Sequence, residues 1–264
     1  AYFMGVRLYG DDLSGDALQQ WFNDEESSYY EMLHAGVGNP GYGYHALNLL
    51  HGYRWLPERR FRHLLGVGGA AGEEFRPILN RVGQITVLEP ADGFVQDSID
   101  GVLANYVKPV ISGDLPFPNS SFDLVTCFGV LHHIPNVSKV IGELARCIEI
   151  GGYMLVREPI ISMGDWRQER AGLTRHERGI PVKLFRDILR RSGFEIVKET
   201  KCMFPLVPRL GRLLGRPAYG SRVLTRLDQV LSSLTQWNEI YHRRKLWQKL
   251  APVSAFFVLR RQNR

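Results

Sequence analysis

A chain of 264 residues, 44% of them hydrophobic and carrying a net charge of +6, holds enough apolar mass for one large core, read here as a single core domain with decorations. Three widely spaced cysteines (Cys127, Cys147, Cys202) with no CxxC and no His at ligand spacing argue against a disulfide framework or a metal site and for a reducing compartment. No apolar run approaches the roughly 20 residues that span a bilayer, and no basic stretch leads into an apolar one near the start, so the expectation is a soluble, cytoplasmic chain.

The charge is uneven. Asp and Glu are common before Glu26, whereas Arg dominates from Arg167 onward, an asymmetry suited to an anionic substrate or surface, or to solvated helix faces. Residues 1–60 read as an N-terminal helical cap, aromatic at Trp21, Phe22, Tyr29 and Tyr30, and broken by the glycine-rich turn Gly36–Gly43. From residue 61 to the end, short apolar runs alternate with helical segments, the pattern of a parallel sheet flanked by helices. Predicted strands are His63–Val67, Ile85–Glu89, Val107–Ile111, Phe122–Phe128, Tyr153–Arg157, Phe194–Glu199 and Ala255–Arg260. Predicted helices are Glu73–Arg81, Val95–Ala104, Val137–Ile148 and Pro181–Arg191. In Val137–Ile148 the apolar residues recur at three and four, giving one face to lie on the sheet.

Between Phe204 and Leu250 lies an interruption too long to be a structureless loop, so it must carry structure of its own, including a helix over Val223–Trp237. Within it, Pro205–Arg216 mixes apolar residues with Arg, as a segment lying on an anionic membrane would. Its two prolines and weak helical regularity favour packing against the core instead.

The first chemical signal is His63-Leu-Leu-Gly66-Val67-Gly68-Gly69-Ala-Ala-Gly72-Glu-Glu. Glycines let the backbone turn sharply and approach a ligand, and a following helix start offers free N–H groups. The spacing also fits a dinucleotide fingerprint as Gly66-x-Gly68-x-x-Ala71, which leaves a nicotinamide enzyme open. The second is Glu89, before Pro90 at the end of the next strand and 21 positions after Gly68. A carboxylate there can accept both ribose hydroxyls of an adenosine, whichever cofactor carries it.

The third signal discriminates. Gly113-Asp114-Leu115-Pro-Phe-Pro-Asn-Ser-Ser-Phe-Asp-Leu-Val, followed by Phe128-Gly129-Val-Leu-His132-His133-Ile-Pro, resembles the adenine-binding loop, fourth strand and post-strand segment of class I S-adenosylmethionine-dependent methyltransferases. The likeness continues through Ile150-Gly-Gly-Tyr-Met-Leu-Val-Arg-Glu-Pro159, so it spans Arg62–Pro159. It implies a Rossmann-like α/β fold: a mostly parallel seven-stranded sheet with helices on both faces, an antiparallel closing strand, the helical cap and the helical insertion. It also implies S-adenosylmethionine held by Gly66, Val67, Gly68, Gly72, Glu89, Pro90, Gly113, Asp114, Leu115, Phe128 and Gly129. Two positions depart. Many members have an acidic residue where this chain has Gly66, and a middle glycine where it has Ala70. The acidic residue serves the amino-acid end of the cofactor, so a catalytically silent binding protein stands as an alternative beside the NAD-dependent oxidoreductase.

The resemblance implies methyl transfer, which for a hydroxyl acceptor needs a base. His133, His132 and Glu158 at the carboxyl edge are the candidates, against packing, loop orientation and a salt bridge to Arg157. Arg167, Arg170, Arg175 and Arg178 fit either an anionic acceptor or pairing with Asp165, Glu169 and Glu177. The cap aromatics and His34, Tyr42, Tyr44 and His45 suit a sugar or other small hydroxylated metabolite. No nucleic-acid module is visible, peripheral membrane contact stays open beside the favoured core packing, and the oligomeric state is not encoded in any motif.

Overall fold

The computed structural model describes residues 1–34 and 42–263. The expected glycine-rich turn therefore falls largely outside the described residues, as do the side chains of Tyr29, Tyr30 and His34. Helices α1 (Asp16–His34) and α2 (His45–His51) precede strand β1 (Phe61–Val67). Strands β2 (Val82–Leu88), β3 (Ser98–Ile99), β4 (Val102–Val107) and β5 (Phe122–Phe128) follow, then α3 (Val137–Cys147), β6 (Ile148–Pro159), α4 (Val182–Arg191) and β7 (Phe194–Cys202). The insertion contributes α5 (Leu206–Leu213) and α6 (Arg222–Thr235) before the last strand, β8 (Ser254–Arg261).

The sheet has eight strands, not seven, in the order β3-β4-β2-β1-β5-β6-β8-β7. The additional strand replaces a predicted helix. Over Val95–Ala104 the chain makes a hairpin, with Asp100 and Gly101 at φ +45 and +85 between the paired Ile99 and Val102. Asp-Gly with two positive φ values is the two-residue turn that matches strand twist, and it outweighs the helical spacing. Consequently β4 ends at Val107, where the sequence had placed a strand start. Glu73–Arg81 is not an α-helix either. Pro77 has no N–H to donate and clashes with a preceding helical turn, so the segment forms two 3₁₀ turns, Glu73–Phe75 and Leu79–Arg81.

Side chains alternate along the strands and divide the core. On one face Leu65, Val67, Val125 and Cys127 pack with Val140, Ile141 and Leu144 of α3 and Phe185 of α4. On the other, Leu64, Leu124, Phe128 and Leu155 pack with Phe75, Ile78, Leu47 of α2 and Leu224 of α6. Antiparallel β8 lies between β6 and β7. From β1 the chain steps outward to β2 and β4, then returns to β5 on the other side of β1. That reversal opens a crevice at the carboxyl ends of β1 and β5, where Val67 and Cys127 are in register.

Candidate active site

Gly66, Thr126, Phe128 and Arg157 come from three adjacent strands and share one face of the sheet at this crevice. Gly66 sits opposite Thr126, and a Cβ on it would meet the Phe75 ring at 2.2 Å. No side chain fits at 66. The carboxylate instead arrives from Glu74, whose Oε1 accepts a 2.7 Å hydrogen bond from the Thr126 hydroxyl. An acid missing from the strand in sequence is thus restored in space by the 3₁₀ turn after the glycines. Glu74 is wholly enclosed, and burial pushes its carboxyl up to about 7, with the Thr126 bond and the Arg157 charge only partly opposing.

Arg157 is itself 6% exposed. Its Nη1 donates to Asn48 Oδ1 at 3.0 Å and its guanidinium lies 4.4 Å from the Tyr44 ring centroid. It makes no ion pair with any described carboxylate. Asn48 in turn donates to the Tyr42 hydroxyl at 2.5 Å, and Tyr42 lies within the fields of both Glu74 and Arg157. A buried carboxyl and a buried guanidinium therefore feel one another's charge without forming an ion pair among the described residues, an arrangement that leaves each charge uncompensated by the other.

Glu89 accepts N–H groups from Ala70 at 3.1 Å and Ala91 at 3.2 Å, tying the end of β2 to the glycine turn. Burial raises its pKa against these two bonds. The turn is further held by Tyr106, whose hydroxyl donates to the Ala70 carbonyl at 2.9 Å. Gly68 has φ +63, and a Cβ there would stand 2.6 Å from Val130, so turn and post-β5 loop are in contact. Val67 is buried and Pro90 exposed beside them, and Gly72 closes the turn at φ +74. Gly113, Asp114 and Leu115 lie over α3: the Leu115 N–H donates to Glu143, and Asp114 is held by Ser112 and Lys139, whose contacts lower its pKa. Gly129 turns at φ +77, with its N–H on the Arg157 carbonyl.

The three proposed proton carriers are not equivalent. Glu158 is fully buried and accepts the N–H groups of Val130 and Leu131 at 2.9 Å, that of His132 at 3.3 Å, and His132 Nδ1 at 2.7 Å. It positions the loop and has little capacity for an acceptor. His132 also faces Glu177 through Nε2 at 3.4 Å. Burial alone would strip its proton, but the bonds to Glu158 and Glu177 prevail and push it up to about 9. It stands as an imidazolium near neutral pH, which is the wrong state for a base.

His133 differs. Its Nδ1 lies 2.9 Å from Glu25 and 3.2 Å from Thr174, and its side chain is 36% exposed. Burial opposes ionisation of Glu25, yet the bonds from His133 and Thr174 hold its pKa below the usual range. An ionised carboxylate at Nδ1 favours a proton on that nitrogen and leaves Nε2 the ring nitrogen not engaged by Glu25. His132, His133 and Glu177 bring one donor atom each within 4.8 Å of one another, but a metal would have to displace the strongly held His132 proton.

Arg167, Arg170, Arg175 and Arg178, in the segment that follows β6, are each committed within the protein. Arg167 is bidentate on Asp165, Arg175 pairs with Asp24, and Arg170 donates to the carbonyls of Met163, Thr174, Arg175 and Glu177. Arg178 is buried beneath the loop. An anion clamp from this segment is therefore not formed. Instead the segment docks on α1, where Trp21 donates to the His133 carbonyl at 2.7 Å and Glu25 accepts the His176 N–H at 2.7 Å.

Residues 65–156 match the family described as methyltransferase domain. A ubiquinone biosynthesis O-methyltransferase from Shewanella halifaxensis is 33% identical over 98 residues, covering 35% of this chain and 42% of that one. The chain thus spans less than half the length of this curated relative. The YcgJ protein from Bacillus subtilis superposes with a TM-score of 0.54 at 16% identity, over 83% of this chain and 99% of its own. The [4+2]-cyclase SpnF does so at 0.56 and 16% identity, over 93% and 97%. At such identities the structural likeness is one of fold.

Proposed function

We propose that this chain, whose residues 65–156 are a methyltransferase domain of the class I, Rossmann-like kind, binds S-adenosylmethionine and transfers its methyl group to an acceptor hydroxyl. The observation that carries the reading is the Glu74 carboxylate on Thr126 beneath the glycine turn. A dinucleotide would bring its pyrophosphate to this turn, where it needs the N-terminus of a helix. Here a 3₁₀ turn with two carboxylates, Glu73 and Glu74, takes that place. Such a site repels an anionic cofactor and favours one bearing an ammonium and a sulfonium.

The residues present fit the group. Glu89 would accept the ribose hydroxyls, Gly113, Asp114 and Leu115 would hold the adenine, and Gly66, Val67, Gly68, Gly72, Pro90, Phe128 and Gly129 would hold the rest of the group. Glu74 would take the α-ammonium and Arg157 the α-carboxylate, the role that Gly66 cannot fill. When bound, the cofactor supplies an electrophilic methyl on a sulfonium sulfur. Glu158 keeps the post-β5 loop in place, and His133 Nε2, oriented by Glu25, would take the acceptor hydroxyl's proton while the methyl carbon exchanges its bond to sulfur for one to oxygen, the S–C electron pair staying on sulfur as a thioether. The half-buried Tyr42 and Tyr44 offer flat faces to a small hydroxylated metabolite, a glycan or a lipid-linked sugar. Incubation with methyl-labelled cofactor and a panel of these acceptors tests the reading. Label in a hydroxylated product supports it, and label found only on nitrogen or carbon acceptors contradicts the oxygen assignment.

A further inference from the structure

The insertion between β7 and β8 is firmly attached yet leaves its apolar surface uncovered. Asp228 on α6 accepts the N–H groups of Met203 and Phe204 and the Tyr219 hydroxyl, fixing the helix to the end of β7. Leu224, Thr225, Asp228 and Ser232 form the buried face. Val223, Leu227, Val230 and Leu234, and Trp237 in the turn that follows, recur at four, three, four and three residues. They therefore share a stripe roughly 80° wide on the other side. Val223 is 76% exposed and Trp237 77%. Asn238 donates to the Trp247 carbonyl, which brings the turn carrying Leu246 and Trp247 beside the end of this stripe; Leu246 is 82% exposed.

Charge identifies the partner. Residues 204–250 contain nine Lys and Arg against Asp228 and Glu239, a net +7 that exceeds the +6 of the whole chain. Asp228 is buried and Glu239 is paired with Lys201, so no exposed carboxylate remains on the insertion, while Arg222 and Arg226 flank the stripe and Lys245 and Lys249 bracket Leu246 and Trp247. Protruding Leu, Val and Trp interleaved with unopposed cations match the interface of an anionic bilayer, in which apolar side chains enter the acyl boundary and basic ones meet lipid phosphates. Among the described residues no helix is long and apolar enough to cross a membrane. We propose that the α5–α6 insertion docks this protein onto anionic membrane surfaces.

The test is flotation of the intact chain with vesicles of phosphatidylcholine alone and of phosphatidylcholine with 30 mol% phosphatidylglycerol (about 30% being a choice that gives a strong surface potential). The parent protein should float with the anionic vesicles, should bind neutral ones at least ~10-fold more weakly, and should release in high salt. Leu234→Ser with Trp237→Ser removes two exposed residues outside the catalytic crevice, and should cut binding at least ~10-fold without altering the unfolding midpoint. Arg222→Glu with Arg226→Glu should do the same through charge. Equal flotation of parent and variants, or no flotation of the parent, overturns the proposal. So does a parent that sediments as a dimer with no affinity for vesicles and becomes monomeric in the Leu234/Trp237 variant, since the stripe is then a contact between copies.

Discussion

Glu158 and Arg178 grip one loop by opposite poles. The carboxylate collects the N–H groups of residues 130–132, and the guanidinium donates to the carbonyls of Leu131, His132 and Ile134 and to that of Tyr9. Between them they satisfy most of the backbone of a loop that is buried beside the crevice and belongs to no helix or strand. Burial pulls Arg178 down to about 10, still charged under physiological conditions.

Removing that guanidinium strands several buried carbonyls at once. Arg178→Met should lower unfolding free energy by about 3 kcal/mol or more, at roughly 1–3 kcal/mol per unsatisfied group. Urea unfolding measures it, and a loss under about 1 kcal/mol would show that water replaces the arginine.

His132 should make stability depend on pH. Its folded pKa of about 9 lies above the unfolded value near 6.5, so the folded chain holds a proton that the unfolded chain has released. The contribution is complete below pH 6.5 and disappears as pH rises through about 9. Its size is on the order of 3 kcal/mol. His132→Gln should flatten this slope in thermal melts taken from pH 6 to pH 10. An unchanged slope would assign the proton elsewhere.

Glu74→Gln isolates the amino-acid end of the cofactor. S-adenosylhomocysteine should bind the variant ~10–100-fold more weakly, as loss of a charge-assisted pair implies, whereas 5′-methylthioadenosine, which has no amino-acid tail, should bind as before. Because the Glu74 carboxyl lies near 7 when the site holds no cation, homocysteine-product affinity should rise with pH up to about 7 in the parent and stay level in the variant. Equal losses for both ligands would point to a collapsed pocket rather than a missing charge.

His133→Ala should reduce turnover by ~100-fold or more, the scale of general-base catalysis, with cofactor affinity nearly intact. Glu25→Gln should reproduce part of that loss by releasing the imidazole. If both variants turn over at the parental rate, the dyad only holds α1 to the loop.

Much of the fold was legible because strands buried on both sides declare themselves as apolar runs: β5 matches Phe122–Phe128 residue for residue, and α3 shows its stripe. The failures had local causes. Pro77 stops a helix whose spacing is otherwise acceptable, and Asp100-Gly101 makes a hairpin inside another such segment. The glycine turn and Glu89 could be picked out by position, and the structure joins them through the Ala70 N–H. Glu74 stood in plain view after Gly72, but nothing local tells that Phe75 fills the space at Gly66 and carries its neighbour's carboxylate to Thr126. Glu25 reaches His133 across 108 positions and Arg178 lies 46 from His132. Pairings at that distance are set by docking of α1 and the post-β6 segment, which no spacing encodes.

The crevice at the carboxyl ends of β1 and β5 is proposed to receive a cationic adenosyl cofactor. Isothermal titration of the intact chain with S-adenosylmethionine, S-adenosylhomocysteine and NAD, run in parallel, addresses it directly. Both adenosyl ligands should bind saturably, more weakly in Glu89→Ala, and NAD should give no heat. Saturable binding of NAD with none of either adenosyl ligand would contradict it.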